Sequence, residues 1–503
     1  MEDVGRHMKL KLQEVERWGR FELTLSGPSE GNPFREVRLS ARFQYRNRIV
    51  EPEGFYDGDG TYRIRFMPDC PGVWRYVTSS NCSELDGHAG AFVCTEAQEG
   101  NHGPVRVKER YLFAYEDGTR YMPFGTTCYH WTHGGDERLE EQTLESLAAS
   151  PFNKIRMCLL PTQDMKPPLQ LVFTGEYPEE LDRTRFNPDF FRRLERRLED
   201  LLRLGIEADL VLFHPYDKGF WGVDNMDAES DASYIRYCIA RLGAYRHVWW
   251  SLCNEYDFNK FKTAADWDRL LQLTQRCDPY QHLRSIHNGT KMYKSSSLYD
   301  FSKPWITHQS IQHWDAELTT SWRNAVAKPI VIDEISYEGN SSRRWGNISG
   351  EELVHRFWEG MSRGGFVGHG ESFIDKETRA WISSGGKLYG ECVERLAFLR
   401  RIMEEGPEDW LGARSAGTYS LLYFGRRQPV FHWIDWPEQA AYRVEVIDTW
   451  NMQVTPLAGV FQGRSKVELP GRPYLALRVR LETESDAGHP REQAVHAEGG
   501  RCG

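Results

Sequence analysis

The sequence predicts an α/β protein, namely a (β/α)8 TIM barrel flanked by two small all-β sandwich domains. Between about residues 120 and 405, eight short apolar runs alternate with amphipathic stretches, which is the order and size of such a barrel. Runs of alternating apolar and polar residues, separated by Gly and Pro, come before and after this region. We expect an N-terminal β-sandwich over 1–100, the barrel over 101–406, a C-terminal β-sandwich over 407–483 and a disordered tail over 484–503.

Composition limits the classes of partner. The chain of 503 residues carries a net charge of -10, which gives no reason to expect nucleic acid or an anionic membrane surface as a partner. No apolar run reaches the roughly 18 residues that a membrane span needs. The charged N-terminus lacks the apolar stretch of a signal peptide, and the ten cysteines include no C-x-x-C pair, so we expect a cytoplasmic protein. The sequence leaves open whether the protein forms a homo-oligomer.

The two β domains are predicted from alternation and turns. Phe21, Leu23 and Leu25 alternate with polar residues, and the Asp-Gly-Asp-Gly turn at 57–60 marks a hairpin. A polar segment at 99–104 is typical of a linker. The C-terminal domain is predicted from four short alternating runs, at 419–424, 430–433, 442–447 and 474–479.

The barrel is predicted from the runs and the helical patterns between them. We place its strands at 121–127, 153–160, 206–213, 248–252, 283–287, 305–309, 329–333 and 366–370. We place helices at 189–204, 232–245, 264–277, 316–327, 351–363 and 388–404. The link after the fifth strand, 291–302, has little helical periodicity. The alternative is a doubly wound open sheet, which would usually carry a glycine-rich nucleotide turn after its first strand, and the sequence has none.

Two carboxylates close two of these runs. Asn254-Glu255 follows the fourth predicted strand, and Glu334 follows the seventh. The carboxyl ends of barrel strands form the face where barrel enzymes place their chemistry, and strands four and seven stand across the barrel from each other. Hydrolysis of a glycosidic bond requires one protonated acid beside the leaving oxygen and one ionised carboxylate facing the anomeric carbon. We predict Glu255 as general acid/base and Glu334 as nucleophile.

These positions resemble clan A of the glycoside hydrolases, in which an Asn-Glu pair ends strand four and a Glu ends strand seven. The resemblance implies that Arg156 on strand two keeps the nucleophile ionised, as a nearby cation does. It implies that Asn254 bonds the hydroxyl next to the reaction centre and that His214 contacts the sugar. It also places His308 and Gln309 at the end of strand six, beside the nucleophile.

Strand eight departs from the clan pattern. Many members carry a Trp there as a platform under the sugar, whereas this chain reads Gly-His-Gly-Glu-Ser-Phe over 368–373. We expect Glu371 to bond sugar hydroxyls instead, or to act itself as a catalytic acid. Four tryptophans in loops after strands are candidates for stacking on sugar: Trp131, Trp221, Trp314 and Trp345.

The wider architecture is similar to bacterial proteins made largely of domains of unknown function and akin to apiosidase-like hydrolases of plant cell-wall glycans. The quoted features are an N-terminal β module, a clan A barrel and a C-terminal β module containing Asp-Thr-Trp-Asn-Met at 448–452. The resemblance implies a retaining hydrolase of oligosaccharides or plant-type glycans that uses no cofactor. A cytoplasmic location favours short oligosaccharides as substrates.

Two other functions remain open at this point. A metal-dependent barrel hydrolase would gather histidines around an ion, and five histidines fall near predicted strand ends: His130, His133, His214, His287 and His308. The first strand lacks a His-x-His pair, and we expect no metal. A non-catalytic glycan-binding protein would keep the aromatic residues but would not require both acids.

Overall fold

The computed structural model describes residues 12–165, 171–289, 298–374, 380–408 and 417–482. The chain divides into two compact units, Met1–Arg400 and Arg401–Gly503. The predicted tail, 484–503, and residues 291–297 of the link after the fifth strand lie outside the described residues. In the described part of the chain, no helix is both long and apolar enough to cross a membrane.

The N-terminal part of the first unit is a β-sandwich, as predicted. One sheet has the strand order Glu14–Glu16, Ala89–Thr95, Gly72–Ser80, Leu39–Tyr45 and Arg48–Val50. The other sheet has the order Phe21–Ser26, Thr61–Phe66 and Phe55–Tyr56, and a short helix spans Pro33–Glu36. Stacked rings from both sheets fill the core between them, with centroids 4.2 Å apart for Phe21 on Phe92 and for Phe43 on Phe66.

A three-stranded antiparallel sheet covers the N-terminal end of the barrel. Its strands are Val105–Lys108, Leu112–Tyr115 and Arg120–Tyr121. The Phe113 ring lies 5.3 Å from Trp249 and 5.4 Å from Phe366, which stand at the beginning of two barrel strands. The predicted first barrel strand, 121–127, is therefore divided, because its first residue belongs to this covering sheet.

Eight parallel strands with helices outside them form the barrel, which confirms the predicted fold class. The strands are Gly125–Thr127, Lys154–Cys158, Glu207–Phe213, Val248–Cys253, Arg284–Ser285, Gln309–Gln312, Ile330–Glu334 and Phe366–His369, in chain order. A parallel bridge between His287 and Ser310 links the fifth strand region to the sixth strand.

The sixth strand corrects the prediction. It begins at Gln309, where the predicted strand 305–309 ends. The prediction was wrong because it followed the apolar residues Trp305 and Ile306. The observed strand, Gln309–Gln312, is mostly polar although it is fully buried. Its polar side chains bond to neighbouring groups, as Ser310 does to Asp333, so burial requires no apolar pattern there.

Helices cover the outside of the barrel. Their bounds are Glu137–Ala148, Pro188–Arg203, Ala228–Leu242, Ala264–Cys277, Thr319–Ala325, Gly350–Ser362 and Cys392–Glu404. A further short helix, Trp381–Ser384, lies at the mouth of the barrel. Short 3-10 turns span Tyr256–Phe258, Ala316–Leu318 and Arg344–Gly346, and a hairpin joins Phe173–Thr174 to Asp182–Phe186. Local signals set several helix starts. The Asn187 side chain accepts hydrogen bonds from the backbone amides of Asp189 and Phe190, with Pro188 at the first helical position, and Thr263 forms a capping box with Asp266.

A buried ion network joins the N-terminal sandwich to the barrel helices. Arg65 Nη1 lies 2.7 Å from Glu195 Oε1, and Arg241 Nη1 lies 2.7 Å from Asp57 Oδ1. Arg241 also bonds Glu195, so two cations and two acids from both parts share one interface. Removing one member of such a network leaves a buried charge without its partner, which is strongly destabilising.

The second unit is a small β-sandwich. Its larger sheet has the antiparallel order Tyr419–Tyr423, Leu475–Leu481, Tyr442–Asp448 and Gln453–Pro456. The smaller sheet pairs Phe431–Asp435 with Arg464–Glu468. Alternate side chains of the two sheets share one apolar core, with Ile434 and Val467 from the smaller sheet packed among Val444 and Leu477 from the larger.

Candidate active site

Both predicted acids lie at the carboxyl ends of their strands. Glu334 is the last residue of the seventh strand, and Glu255 comes two residues after the fourth strand ends at Cys253. The backbone of Glu255 is left-handed, with φ 44° and ψ 49°, and a turn follows at once because the amide of Phe258 donates to the Glu255 carbonyl. The chain therefore breaks from the strand at Glu255 itself.

Four neutral side chains contact the Glu334 carboxylate, which is 3% exposed. At Oε1 the Tyr129 hydroxyl donates a hydrogen bond, and Asn254 Nδ2 donates at 3.5 Å. At Oε2 the Tyr337 hydroxyl donates, and Gln312 Nε2 donates at 3.3 Å. Both oxygens thus accept two bonds, which fixes the orientation of the carboxylate.

Arg156 supplies the lasting positive charge beside Glu334. Its Nη1 lies 3.5 Å from Glu334 Oε1 and 2.5 Å from Asn254 Oδ1, so one guanidinium holds both residues. His287 Nε2 also lies 3.5 Å from Oε1, but burial lowers the pKa of His287 and favours its neutral form. Burial alone would raise the pKa of Glu334, yet the contact with His287 and the charge of Arg156 lower it to about 2.

The pKa of Glu255 is shifted in the opposite direction, upward. Burial raises the pKa of Glu255 to about 8, and the negative charge of Glu334 adds to this, while hydrogen bonds from Gln312 and Tyr216 oppose it. At neutral pH Glu255 therefore keeps its proton, and Glu334 is ionised. This division between two carboxyls is the one that glycosidic-bond hydrolysis uses.

A buried polar layer lies directly beneath the acids. Lys154 Nζ donates to Asp209 Oδ2 at 2.6 Å and to Asp333 Oδ1 at 2.9 Å. Burial alone would raise the pKa of Asp333, but the charge of Lys154 lowers it, so Asp333 is a constant acceptor. Ser310 donates to Asp333, and His287 Nδ1 lies 3.1 Å from Ser310 Oγ. The layer links strands two, three, six and seven.

The two acids face a pocket of about 770 Å³ at the mouth of the barrel. Its lining comes from loops after several strands: Tyr129, Asp164, Tyr216, Glu255, Gln312, Glu334, Tyr337, Ser341, Arg343, Trp345, Gly346, Ser372, Ile374, Ala380, Ile382 and Ser383. A larger crevice of about 860 Å³ lies between the N-terminal sandwich and the helix Ala228–Leu242, and neither acid lines it. The smaller pocket is the candidate site because it alone of these two contains the paired carboxyls.

Sequence comparison decides the family. A family model described as an apiosidase-like catalytic domain matches residues 107–373. The chain belongs to the apiosidase-like family. A solved structure from Bacteroides vulgatus, described as a candidate glycoside hydrolase, is 39% identical with a TM-score of 0.87 and covers 93% of this chain and 100% of its own. The apiosidase-like protein is a glycoside hydrolase.

More distant structures share the fold. A family 5 glycoside hydrolase from Bacteroides vulgatus has a TM-score of 0.60 at 14% identity and covers 78% of this chain and 95% of its own. Two further family models, DUF5060 and DUF5605, both described as domains of unknown function, match residues 14–81 and 409–480. No curated protein matches the chain.

His214 does not reach the pocket of the apiosidase-like barrel, contrary to the prediction. Its Nε2 lies 2.9 Å from the Leu160 carbonyl, and its Nδ1 accepts from the Tyr216 amide at 3.2 Å. Both ring nitrogens are thus bonded to backbone. The His214 ring stacks on Tyr216, with centroids 5.0 Å apart, so it supports the tyrosine that lines the pocket.

His308 and Gln309 were placed at the wrong end of strand six. Because the strand begins at Gln309, both residues lie near the base of the barrel. The His308 ring packs 5.9 Å from Phe113, and Gln309 Nε2 donates to the carbonyls of Val326 and Lys328 at 3.2 and 3.3 Å. Gln312, three residues further along the strand, occupies the predicted place beside Glu334.

Glu371 also lies outside the pocket lining. Its Oε1 accepts from the Tyr389 amide at 2.6 Å and its Oε2 from the Gly390 amide at 2.9 Å. Glu338 accepts from the next two amides, those of Glu391 and Cys392. Glu371 therefore organises the backbone before the last barrel helix, and burial raises its pKa to about 7. The two expected roles of Glu371, contact with sugar hydroxyls or a catalytic acid, gain no support from this position outside the pocket lining.

Among the four candidate tryptophans, Trp345 lines the pocket. Trp131 and Trp221 are 2% and 1% exposed, and Trp221 Nε1 donates to the Thr162 carbonyl. Trp314 stacks on His313, with ring centroids 5.5 Å apart. The first three pack within the loops, as tryptophans more often do, and Trp345 is left as the sugar-stacking candidate.

The histidines do not gather as a metal-dependent hydrolase would need. Within the described ranges, one group has ligand atoms close enough to hold an ion, namely His130, Cys158 and His214, within 4.8 Å of one another. Both nitrogens of His214 are bonded to backbone, and burial raises the pKa of the Cys158 thiol. A catalytic zinc takes three deprotonated protein ligands, and this group does not offer them.

Among the pocket residues that sequence reasoning missed, four contact the two acids: Tyr129, Tyr216, Gln312 and Tyr337. Three are tyrosines that follow a barrel strand by two or three residues. Their position was a usable signal, because side chains just after barrel strands face the catalytic end. Gln312 was hidden by the misplaced sixth strand.

Proposed function

We propose that this apiosidase-like protein hydrolyses O-glycosidic bonds of oligosaccharides or plant-type glycans with retention of anomeric configuration. Glu334 acts as nucleophile and Glu255 as general acid/base. The observation that carries the proposal is that two buried carboxyls share one pocket while only one of them has a cation beside it, Arg156 Nη1 at 3.5 Å from Glu334 Oε1. Burial raises the pKa of Glu255, whereas the contacts of Glu334 with His287 and Arg156 lower the pKa of Glu334. Such a pair has its acid and base roles assigned before substrate binds.

The first step forms a glycosyl-enzyme. A carboxylate oxygen of Glu334 attacks the anomeric carbon while the bond to the leaving oxygen breaks and Glu255 gives that oxygen its proton. In the second step Glu255, now ionised, takes a proton from water. That water attacks the anomeric carbon, and Glu334 leaves as a carboxylate stabilised by Arg156, 3.5 Å from its Oε1.

Contacts around the pair support retention over inversion. Gln312 Nε2 lies 3.3 Å from Glu334 Oε2, and the same side chain hydrogen bonds to Glu255. A single amide that contacts both carboxyls keeps them close, and a retaining pair stands closer together than an inverting pair, about 5–5.5 Å against about 6.5–9.5 Å.

Pocket size and lining support an oligosaccharide as substrate. A volume of about 770 Å³ suits a short glycan. Hydroxyl and amide groups of Tyr129, Tyr216 and Gln312 line the same space as the Trp345 ring. Sugars are held in this way, by hydrogen bonds around the ring edge and an aromatic face beneath.

The decisive experiment is a product analysis. Plant cell-wall oligosaccharides and aryl glycosides would be incubated with the protein, and the anomer first released would be identified by proton NMR before mutarotation. Retention is expected. First release of the opposite anomer would reject the double displacement, and no release from any substrate by wild type, with Glu334→Gln as blank, would reject the activity.

A further inference from the structure

Gly370 directly follows the eighth barrel strand, which ends at His369, and its role follows from the residue beside it. After the eighth strand, Glu371–Ser372 pairs in parallel with Glu338–Gly339, with Glu338 opposite Glu371. This register sets Gly370 level with Tyr337. Tyr337 is the residue whose hydroxyl donates to Glu334 Oε2.

The two residues are too close for any side chain at position 370. A Cβ added to Gly370 would lie 2.0 Å from Tyr337 Cδ1 and 2.2 Å from Cε1. Carbon atoms need about 3.5 Å, so the ring would have to retreat by about 1.5 Å. The backbone of Gly370 has no positive φ, so alanine meets no strain there apart from the ring.

Tyr337 is held from its other sides as well. Its amide donates to the Trp345 carbonyl at 2.8 Å, and its carbonyl accepts from Ile348 at 3.2 Å. The rings of Tyr337 and Trp345 meet edge to face, with centroids 6.4 Å apart. These bonds hold the backbone of Tyr337 in place, so a side chain at position 370 would move the ring alone. The ring would then take its hydroxyl away from Glu334.

We propose that Gly370 is a positioning residue of this enzyme: by lacking a side chain, it seats the Tyr337 ring so that the hydroxyl bonds Glu334 Oε2. The space that a side chain at position 370 would need is thereby filled by Tyr337, a hydrogen-bond donor from the loop after strand seven. The proposal rests on the proposed role of Glu334 and adds to it the means by which one oxygen of the nucleophile is held.

The first test is a double-mutant cycle of Gly370→Ala and Tyr337→Phe. A hydrogen bond to a charged group is typically worth about 1.5–3 kcal/mol, so each single variant should lose about 10- to 100-fold in kcat/KM. The kcat/KM of the double variant should lie within about threefold of that of Tyr337→Phe, because the hydroxyl is already absent. A loss in the double variant equal to the product of the two single losses would overturn the proposal. Gly134→Ala, with no atom within 4 Å of its added Cβ, is the matched control.

A pH profile separates positioning from general damage. Loss of a donor to a carboxylate raises its pKa, so the acidic limb of kcat/KM should move to higher pH equally in Gly370→Ala and Tyr337→Phe. An unmoved limb in Gly370→Ala would overturn the proposal.

A crystal structure of Gly370→Ala gives a readout that does not depend on activity. The Tyr337 hydroxyl should lie beyond hydrogen-bond distance from Glu334 Oε2, more than about 3.5 Å. A hydroxyl still bonded there would overturn the inference, whereas a displaced hydroxyl in a protein without glycosidase activity would reject only the proposed function. If Gly370→Ala does not fold, Gly370→Ala combined with Tyr337→Ala should fold, and failure of that variant too would contradict the proposal.

Discussion

Asn254 bonds the guanidinium of Arg156 through its Oδ1 at 2.5 Å while its Nδ2 lies 3.5 Å from Glu334 Oε1. One amide thus joins the cation of strand two to the carboxylate of strand seven. Since Arg156 also lies 3.5 Å from the same oxygen, the three side chains form a closed triangle that no substrate is needed to complete. Preorganisation of this kind reduces the rearrangement needed during reaction.

Replacing Glu334 by alanine should lower turnover by about 10³-fold or more, because no covalent intermediate forms. Added azide should restore part of the turnover and yield a glycosyl azide, identified by mass spectrometry. Glu334→Gln keeps the shape of the side chain and should not be rescued. Rescue without glycosyl azide would contradict the assignment of the nucleophile.

Glu255→Ala should affect substrates according to their leaving groups. General acid catalysis is worth about 10²–10⁴-fold, so natural glycosides should lose that much, while activated aryl glycosides, which need no protonation, should lose far less in the first step. The control is Glu371→Gln, a buried acid bonded to backbone amides. Equal losses on both substrate types would rule out the acid role of Glu255.

Tyr216→Phe should shift the basic limb of the pH profile upward. Activity needs Glu255 protonated, so kcat/KM falls as the pH rises through its pKa, at about 8 in the wild type. Tyr216 lowers that pKa by hydrogen bonding to the ionised form, and its removal favours the proton. Tyr234→Phe, which loses a bond to the Leu212 carbonyl, should leave the limb in place. A downward shift in Tyr216→Phe would contradict this account.

Glu195→Gln should destabilise the folded protein by about 3–5 kcal/mol, since Arg65 and Arg241 lose a buried partner. Burial alone would raise the pKa of Glu195, but these arginines lower it below its usual 4.5. The stabilisation is therefore complete above about pH 4.5 and is lost as the pH falls through the lower folded value.

Chemical denaturation at several pH values would measure this difference between wild type and Glu195→Gln. The exposed acid Glu468, paired with Lys466, is the control, and Glu468→Gln should change stability by about 0.5 kcal/mol or less. If the difference in unfolding free energy between wild type and Glu195→Gln stayed constant from pH 7 to below the folded pKa of Glu195, the predicted pH dependence would be contradicted.

The sequence predicted those barrel strands whose buried residues are apolar and consecutive. Strands four and seven, Val248–Cys253 and Ile330–Glu334, are such runs, and their terminal acids followed directly. The sixth strand, Gln309–Gln312, buries polar groups that are satisfied only by residues distant in sequence, so no local pattern marks it.

Side-chain direction was the second limit. His214 and Tyr216 both follow strand three, and the family resemblance favoured the histidine. The Leu160 carbonyl, 54 positions earlier in the chain, captures the His214 ring and leaves Tyr216 facing the pocket. A strand end can be located from sequence, but which of its side chains points inward depends on contacts of this long-range kind.

The left-handed backbone of Glu255 carries a consequence for the balance between stability and turnover. A conformation at φ 44° suits glycine and strains other residues, and the carboxyl held there also faces a second negative charge. Glu255→Gly would relieve both burdens at once and would abolish the acid. The fold would thus gain stability from a substitution at a position where the enzyme cannot accept one.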